Sequence, residues 1–263
     1  MSDHLIMGIV NVTPDSFYDG GRYATVDMAV KHALRLVGEG ADIIDIGGSS
    51  SRPGAELLPP EEEAARVIPV IDELVKRGVG VPISIDTVWG AVARSALDAG
   101  ASWINDISAG RIDPAMPEVA ACAGCTVVLM HSRGTPQTMQ DGPRYGDAVN
   151  EVGRELMASV AMFRRAGVDG GKIVIDPGFG FAKTVEHNIA LLRGIGGIVK
   201  LGYPVLAGLS RKSFIGAITG RPVEERLSGT LAATAVAYSG GARIFRVHDV
   251  RETVDFLRVF VNQ

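Results

Sequence analysis

Only 2 cysteines occur in 263 residues. No disulfide framework organises such a chain, and a chain of this length buries enough apolar surface to need none. The two thiols, Cys122 and Cys125, form a C-x-x-C. No further cysteine is present to complete a zinc site, and Cys125 leads into an apolar run, so both are expected to serve packing. A basic excess is also missing: Lys plus Arg number 26 against 30 for Asp plus Glu, a net charge of −4. That balance argues against nucleic-acid partners, whose nonspecific affinity comes from neutralising phosphates. Long hydrophobic runs are absent as well. Gly, Asp, Asn and Arg interrupt every apolar stretch before it reaches the ~18 residues of a membrane span. The start, Met1 to Gly8, lacks the basic leader of a signal peptide. With 46% hydrophobic residues disorder is excluded as the main state, and a soluble, cytoplasmic protein with no membrane partner is expected.

What the chain does contain is one alternation carried from end to end. Short apolar runs that read as buried strands are Leu5–Val10, Asp42–Ile46, Val81–Ile85, Trp103–Ile107, Thr126–Met130, Lys172–Ile175, Val205–Ala207 and Arg243–Val247. Segments with helical spacing separate them. Met28, Val30, Ala33, Leu34 and Val37 recur at three- and four-residue intervals. Pro59-Pro60 opens a helix with Glu61, Glu62 and Glu63 in its first turn, where the helix dipole favours acids, and 147–166 reads as a longer helix stopping at Gly167. Strand then helix, about eight times over, predicts a single (β/α)8 TIM barrel across residues 1–263, with both faces of each strand covered. The rival, a doubly wound open sheet, normally carries G-x-G-x-x-G after its first strand, whereas Gly8 is followed by Ile-Val-Asn-Val-Thr-Pro.

In such a barrel the chemistry gathers at the carboxyl ends of the strands. The runs end at Asn11, Asp45, Asp86, Asn105-Asp106, His131, Asp176, Ser210-Arg211-Lys212, and Arg246 with His248. One Asp there is explained as a helix cap, but eight polar strand ends predict a shared rim. Carboxylates and amides suit the N–H edge of a nitrogen heterocycle, and Lys212, Arg246 and His248 suit a phosphate. The loops after strands one and two, at 13–21 and 47–54, combine turn formers with charges and read as long mobile lids over a small, flat, anionic substrate. Asp45 is weighed as a mere cap, and His131 as a packed, hydrogen-bonded histidine. His4, His32 and His187 are assigned to surface or helix positions, and Trp89 and Trp103 to packing.

Five motifs in register make the reading specific. Asn11-Val12-Thr13-Pro14-Asp15-Ser16-Phe17, Ser51-Arg52-Pro53-Gly54-Ala55, Asp176-Pro177-Gly178-Phe179-Gly180-Phe181, Ser210-Arg211-Lys212-Ser213 and Arg246-Val247-His248-Asp249-Val250 together resemble the dihydropteroate synthase family, and the likeness covers essentially the whole chain. The resemblance implies a transferase of folate synthesis that joins a pterin pyrophosphate to p-aminobenzoate with Mg2+ and is a target of sulfonamides. It further implies that Asp86, Asn105, Asp176 and Lys212 hold the pterin. Asn11 and Asp19 would meet the Mg2+; Asn11, Arg52, Arg246 and His248 would meet the pyrophosphate. Phe17, Ser51, Arg52, Pro53, Phe181 and Ser213 would form the p-aminobenzoate pocket. Asp86, Asp176, Lys212, Arg246 and His248 are the catalytic set on this view. The family's usual dimer agrees with the last helix, where Val250, Val254, Leu257 and Val261 make one stripe while Phe256 and Phe260 make a second that predicts a homodimer contact.

Two other readings stay open. A pterin-dependent methyltransferase shares the barrel and the pterin-holding acids, though it needs neither Ser210-Arg211-Lys212-Ser213 nor Ser51-Arg52-Pro53. A non-catalytic pterin-binding paralogue is kept open by departures from the family pattern. Ser49 stands where Glu is usual, Ser51 where Thr is usual, Ser132 replaces a frequent Met and Ala182 a frequent Gly. A serine at 51 keeps the hydroxyl and drops a methyl, which leaves the second lid looser. Ser51→Thr should therefore shift the affinity for p-aminobenzoate or a sulfonamide by no more than about fourfold, the worth of one buried methyl; identical dissociation constants for the two proteins would remove the idea.

Overall fold

The computed structural model describes residues 3–12, 22–50, 52 and 54–262. Eight parallel strands carry the fold: β1 (Leu5–Asn11), β2 (Ile43–Gly47), β3 (Ile83–Asp86), β4 (Trp103–Asp106), β5 (Thr126–Met130), β6 (Ile173–Asp176), β7 (Leu206–Ala207) and β8 (Ile244–Val247). They pair in the order β6-β5-β4-β3-β2-β1-β8-β7. The remaining gap, between β6 and β7, is bridged by a single parallel pairing of Ile175 with Val205, where the Ile175 amide donates to the Pro204 carbonyl at 2.9 Å. The ring of strands is thus a barrel with one narrow seam. Every expected strand is present, with ends moved by one or two residues.

Helices α1 (Arg22–Gly38), α2 (Pro60–Lys76), α3 (Gly90–Asp98), α4 (Met116–Ala123), α5 (Ala148–Arg165), α6 (Val185–Arg193), α7 (Ile195–Val199), α8 (Ser213–Thr219), α9 (Leu227–Ser239) and α10 (Val250–Phe260) lie between and after the strands. Their ends follow local chemistry. Pro59 precedes α2, whose first turn holds three glutamates. The Asp147 side chain accepts the Asn150 amide and caps α5, and Thr184 with His187 forms a reciprocal capping box on α6. Gly124, left-handed at φ 59°, ends α4.

The period of two along a strand decides what faces the barrel axis. Met7, Ile43, Val128, Val174, Leu206 and Ile244 make a closed apolar plug with Trp103 against it. Two residues further on, and so on the same inward face, stand Asp45, Asn105, Met130, Asp176, Gly208 and Arg246. The alternate residues, among them Ile44, Ile46, Ile85, Ile104, Leu129, Ile175 and Phe245, point outward into the main core between barrel and helices. The site is therefore a polar layer laid directly on an apolar floor.

This parity corrects the expectation that every strand end serves one rim. Asp106 alternates with Asn105 and faces outward. It is fully buried and accepts the Ser108 amide and hydroxyl, both at 2.7 Å, and the Gly110 amide at 2.6 Å. It is a turn anchor. On the last helix one position differs. Phe256 and Phe260 stack on each other at 5.5 Å, and Phe260 meets Tyr238 of α9 edge-on at 5.9 Å. Both rings nevertheless stay half-buried, whereas Val261, expected in the buried stripe, is exposed. His4 is buried rather than superficial. Of the two thiols only Cys125 packs, its pKa raised to about 11 by burial, while Cys122 is exposed.

Removing the anchor measures its role. Asp106→Ala strands three buried donors, each costing about 1–3 kcal/mol, so urea unfolding should show a loss of about 3 kcal/mol or more. A change below about 1 kcal/mol would mean the turn does not depend on the carboxylate.

Candidate functional site

The polar layer is organised by one cation. The Arg246 guanidinium, rising from β8, donates through Nε to Asp45 Oδ2 and through Nη2 to Asp86 Oδ2, both at 2.6 Å. Asn105 Nδ2 reaches the same Asp45 oxygen at 3.1 Å. Three strands on one side of the mouth are so tied to the eighth. Charges this deep persist only when paired and hydrogen-bonded. Burial works against the charge on Arg246, but Asp45 and Asp86 outweigh it and hold its pKa above the ordinary value. Asp86 is pushed up to about 7 by burial, against the pull of Arg246. Asp45 Oδ1, equally buried, has no hydrogen-bond partner among the described residues.

Across the mouth, Asp176 ends β6. Burial raises its pKa to about 6, while the Gly178 amide, donating to Oδ1 at 2.7 Å, and the Lys212 charge oppose the shift. Lys212 follows β7, its pKa lowered to about 8 by burial against the attraction of Asp176. Its Nζ lies 4.3 Å from the centre of the Phe181 ring, a distance at which cation–π attraction operates. Phe181 packs with Met130, Met139 and Ala182. The Asp176–Phe181 loop needs its glycine. Gly178 is left-handed at φ 68°, and a Cβ there would lie 1.9 Å from the His131 carbonyl.

In the same loop as Lys212, Ser210 Oγ lies 2.9 Å from His248 Nδ1, just after β8. Burial of the ring edge, with the charges of Arg246 and Arg211, lowers the His248 pKa to about 4, while the side chain stays exposed at the rim. Arg211, left-handed at φ 56°, is held by Asp249 through Nε at 2.9 Å. A cavity of about 330 Å³ opens beside them, lined also by His32, Arg35 and Arg251.

Of the residues singled out from sequence, Asp86, Asn105, Asp176, Lys212 and Arg246 share the inward face or its rim. Asn11 is half-buried at the end of β1, Arg52 is exposed in the loop after β2, and Ser213 is exposed at the first position of the seven-residue α8. Phe17, Asp19, Ser51 and Pro53 lie outside the described residues. Asp45 is more than a cap, since it pairs with Arg246. His131 is the packed histidine of the two readings offered, fully buried and hydrogen-bonded to Glu155. Sequence reasoning missed Lys183 and Glu155, which bond His131 from either side, and Arg133, which pairs with Glu155. It also missed the buried Glu63 on α2, which lines a small cavity with Ser49, Asp86 and Thr87. A lone cation closing an otherwise uncharged Pro-Gly-Phe-Gly-Phe-Ala loop is the one signal that points to Lys183.

The described residues contain no cluster of three His, Cys, Asp or Glu side chains able to hold a metal. A Mg2+ that arrives on a pyrophosphate needs only one or two protein oxygens, and Asn11 at the rim suits that sparse donor set.

Comparison with known proteins adds to this geometry. Residues 7–248 match the family described as pterin binding enzyme. The chain is 48% identical over 255 residues to the dihydropteroate synthase of Synechocystis sp., covering 97% of this chain and 88% of that one. Its structure superposes with a TM-score of 0.92 on the Xanthomonas albilineans dihydropteroate synthase with 4-aminobenzoic acid, at 49% identity, covering 98% and 92% of the two chains. It superposes equally, at 0.92 and 41% identity over 98% and 94%, on the Yersinia pestis dihydropteroate synthase in a sulfonamide complex.

The buried Glu63 generates a test. Burial raises its pKa from 4.5 to about 7, opposed by a hydrogen bond with Thr87, and its Oε1 has no partner among the described residues. Between those two values the folded protein binds the extra proton, so this group's contribution to stability falls as pH rises through that window. Glu63→Gln should therefore flatten the pH dependence of unfolding free energy between about pH 5 and 7, relative to the unmodified chain. Parallel curves in denaturant titrations would show that Glu63 is ionised when folded.

Proposed function

We propose the chemistry of this site from one premise: the chain belongs to the pterin binding enzyme family, and within it to the dihydropteroate synthases. It is a transferase that joins 6-hydroxymethyl-7,8-dihydropterin pyrophosphate to p-aminobenzoate, releasing pyrophosphate and 7,8-dihydropteroate. The observation that carries the reading is the inward layer of Asp86, Asn105 and Asp176 around Arg246, with Lys212 at its rim.

A flat pterin lying on the apolar floor presents N–H donors at its edge, which Asp176 and Asp86 accept and Asn105 supplements. The C–O bond to pyrophosphate then breaks with its electron pair leaving on oxygen. Positive charge grows on the pterin methylene, and the buried carboxylates stabilise it. Negative charge grows on the leaving group, which meets Arg246, the His248 imidazole, Asn11 and Arg52. Bound Mg2+, held by Asn11 with Asp19 of the first lid, would supply further charge neutralisation to the pyrophosphate. The p-aminobenzoate nitrogen forms the new C–N bond with its lone pair and afterwards loses a proton, so no strong base is required. The aryl ring takes the surface of Phe181, and the family resemblance assigns Phe17, Ser51 and Pro53 to the same substrate. Its carboxylate faces Ser213, and sulfonamides would occupy the same space. Closed over both substrates, the loops after β1 and β2 would exclude water that would trap the cation.

Unpaired Cys122 and Cys125 suit a reducing compartment, and no helix among the described residues is long and apolar enough to cross a membrane; we place the enzyme in the cytoplasm. Exposed Val236 on α9 and Val259 on α10 leave apolar surface for a homodimer, which light scattering at micromolar concentration checks; a monomer mass would refute it.

The reaction is tested by incubating the protein with the pterin pyrophosphate, p-aminobenzoate and Mg2+. Pyrophosphate release that requires p-aminobenzoate is expected. Pterin binding without release would identify a binding paralogue, and methyl transfer to a corrinoid acceptor a methyltransferase. Asp176→Ala should weaken pterin binding about 100-fold, the worth of one or two charge-assisted hydrogen bonds, as read by calorimetry. Unchanged binding would show that the pterin lies elsewhere.

A further inference from the structure

The loop that carries Asp176 is held by a buried ammonium that the reaction above leaves without a role. Lys183 is 3% exposed. Its Nζ donates to the Gly178 carbonyl at 3.0 Å, the Phe181 carbonyl at 2.9 Å and His131 Nδ1 at 3.0 Å. Because Nδ1 accepts that bond, the His131 proton sits on Nε2, which donates to Glu155 Oε2 at 2.9 Å. Glu155, on α5, also receives Arg133 Nε at 3.2 Å. A continuous chain of hydrogen bonds runs from α5, past the end of β5, to the loop after β6.

The two clamped carbonyls belong to the residues on which the site depends. The Gly178 amide orients Asp176, and the Phe181 ring lies against Lys212. In and just after this stretch the backbone is left-handed at Gly178, Gly180 and Ala182, with φ 68°, 81° and 50°, a shape that at the non-glycine Ala182 persists only where its surroundings enforce it. We propose, resting on the function above, that Lys183 is a positioning residue for both substrates: by clamping the Gly178 and Phe181 carbonyls it fixes the Asp176 carboxylate and the Phe181 ring relative to Lys212, with His131 and Glu155 setting its direction.

The charges around it fit that role. Burial lowers the Lys183 pKa to about 7; Asp176 and Glu155 favour its charge, while Lys212 and Arg133 oppose it. The same burial and the Lys183 charge lower His131 to about 3, which keeps the imidazole neutral and able to accept. Tyr145, whose ring centre lies 6.0 Å from Nζ, completes the surround.

The full chain is assayed as Lys183→Met and as Lys183→Gln, which retains N–H donors. Lys183→Met should raise KM for the pterin pyrophosphate and for p-aminobenzoate by about tenfold or more, with a smaller fall in kcat. Lys183→Gln should recover part of both affinities. A lowered Tm with both KM values unchanged makes Lys183 a stability residue only and overturns the proposal. Should Lys183→Met fail to fold, Glu155→Leu replaces it, with a smaller rise in both KM values expected and unchanged values again overturning. A nitrogen-15 spectrum of the unmodified protein should show His131 as the neutral Nε2–H tautomer from about pH 5 to 8; an imidazole titrating near its ordinary value breaks the chain of bonds and the proposal with it. If the unmodified protein releases no pyrophosphate, it is the assigned reaction that fails, and the clamp stands or falls on the His131 spectrum.

Discussion

The architecture of the barrel mouth depends on a cation buried among carboxylates. Asp45 and Asp86 lie on adjacent strands directly above an apolar plug, where two negative charges repel and neither is well hydrated. Arg246 resolves both problems, because its planar fork meets a carboxylate on each of two edges at once. The arrangement has a functional corollary. A guanidinium satisfied on one side by two protein carboxylates is held in one orientation, so whatever it meets at the mouth finds its remaining donors already directed and needs little reorganisation of the side chain.

That constraint also explains how function is distributed around the ring. One flank holds the Arg246–Asp45–Asp86–Asn105 group, joined by side-chain bonds across strands. The other holds Asp176 and Lys212, oriented largely by backbone groups and by the loop beneath them. The first flank is rigid because its parts sit on strands. The second is rigid only as far as the Asp176–Lys183 loop is rigid, and so buried polar side chains from α5 and β5 are committed to it.

Much of this was legible in the sequence. The alternation of short apolar runs with helical segments implied the barrel, and the strand-end rule located Asp86, Asn105, Asp176 and Arg246. What the rule could not supply was direction. Asn105 and Asp106 are neighbours of similar chemistry, and only the strand parity sends one into the mouth and the other into the helix layer as a turn anchor. Nor could spacing reveal Glu155, which reaches His131 across 24 positions, because that contact exists only once α5 has docked against β5. The doubled aromatic stripe on α10 likewise could not show that α9 places Tyr238 against Phe260, because no one-dimensional pattern records which neighbour a helix will meet.

The seam between β6 and β7 has a bearing on the mouth above it. Seven of the eight strand junctions are ladders of two or more paired residues, and the eighth is one bridge at Ile175 and Val205. Ile175 immediately precedes Asp176, and Val205 stands a short stretch before Lys212. The staves of this barrel are therefore least firmly hooped beneath Asp176 and Lys212. The Asp176–Lys212 side of the mouth thus rests on fewer main-chain pairings than the Arg246 side, where β8, β1, β2 and β3 are joined by ladders of four or five residues.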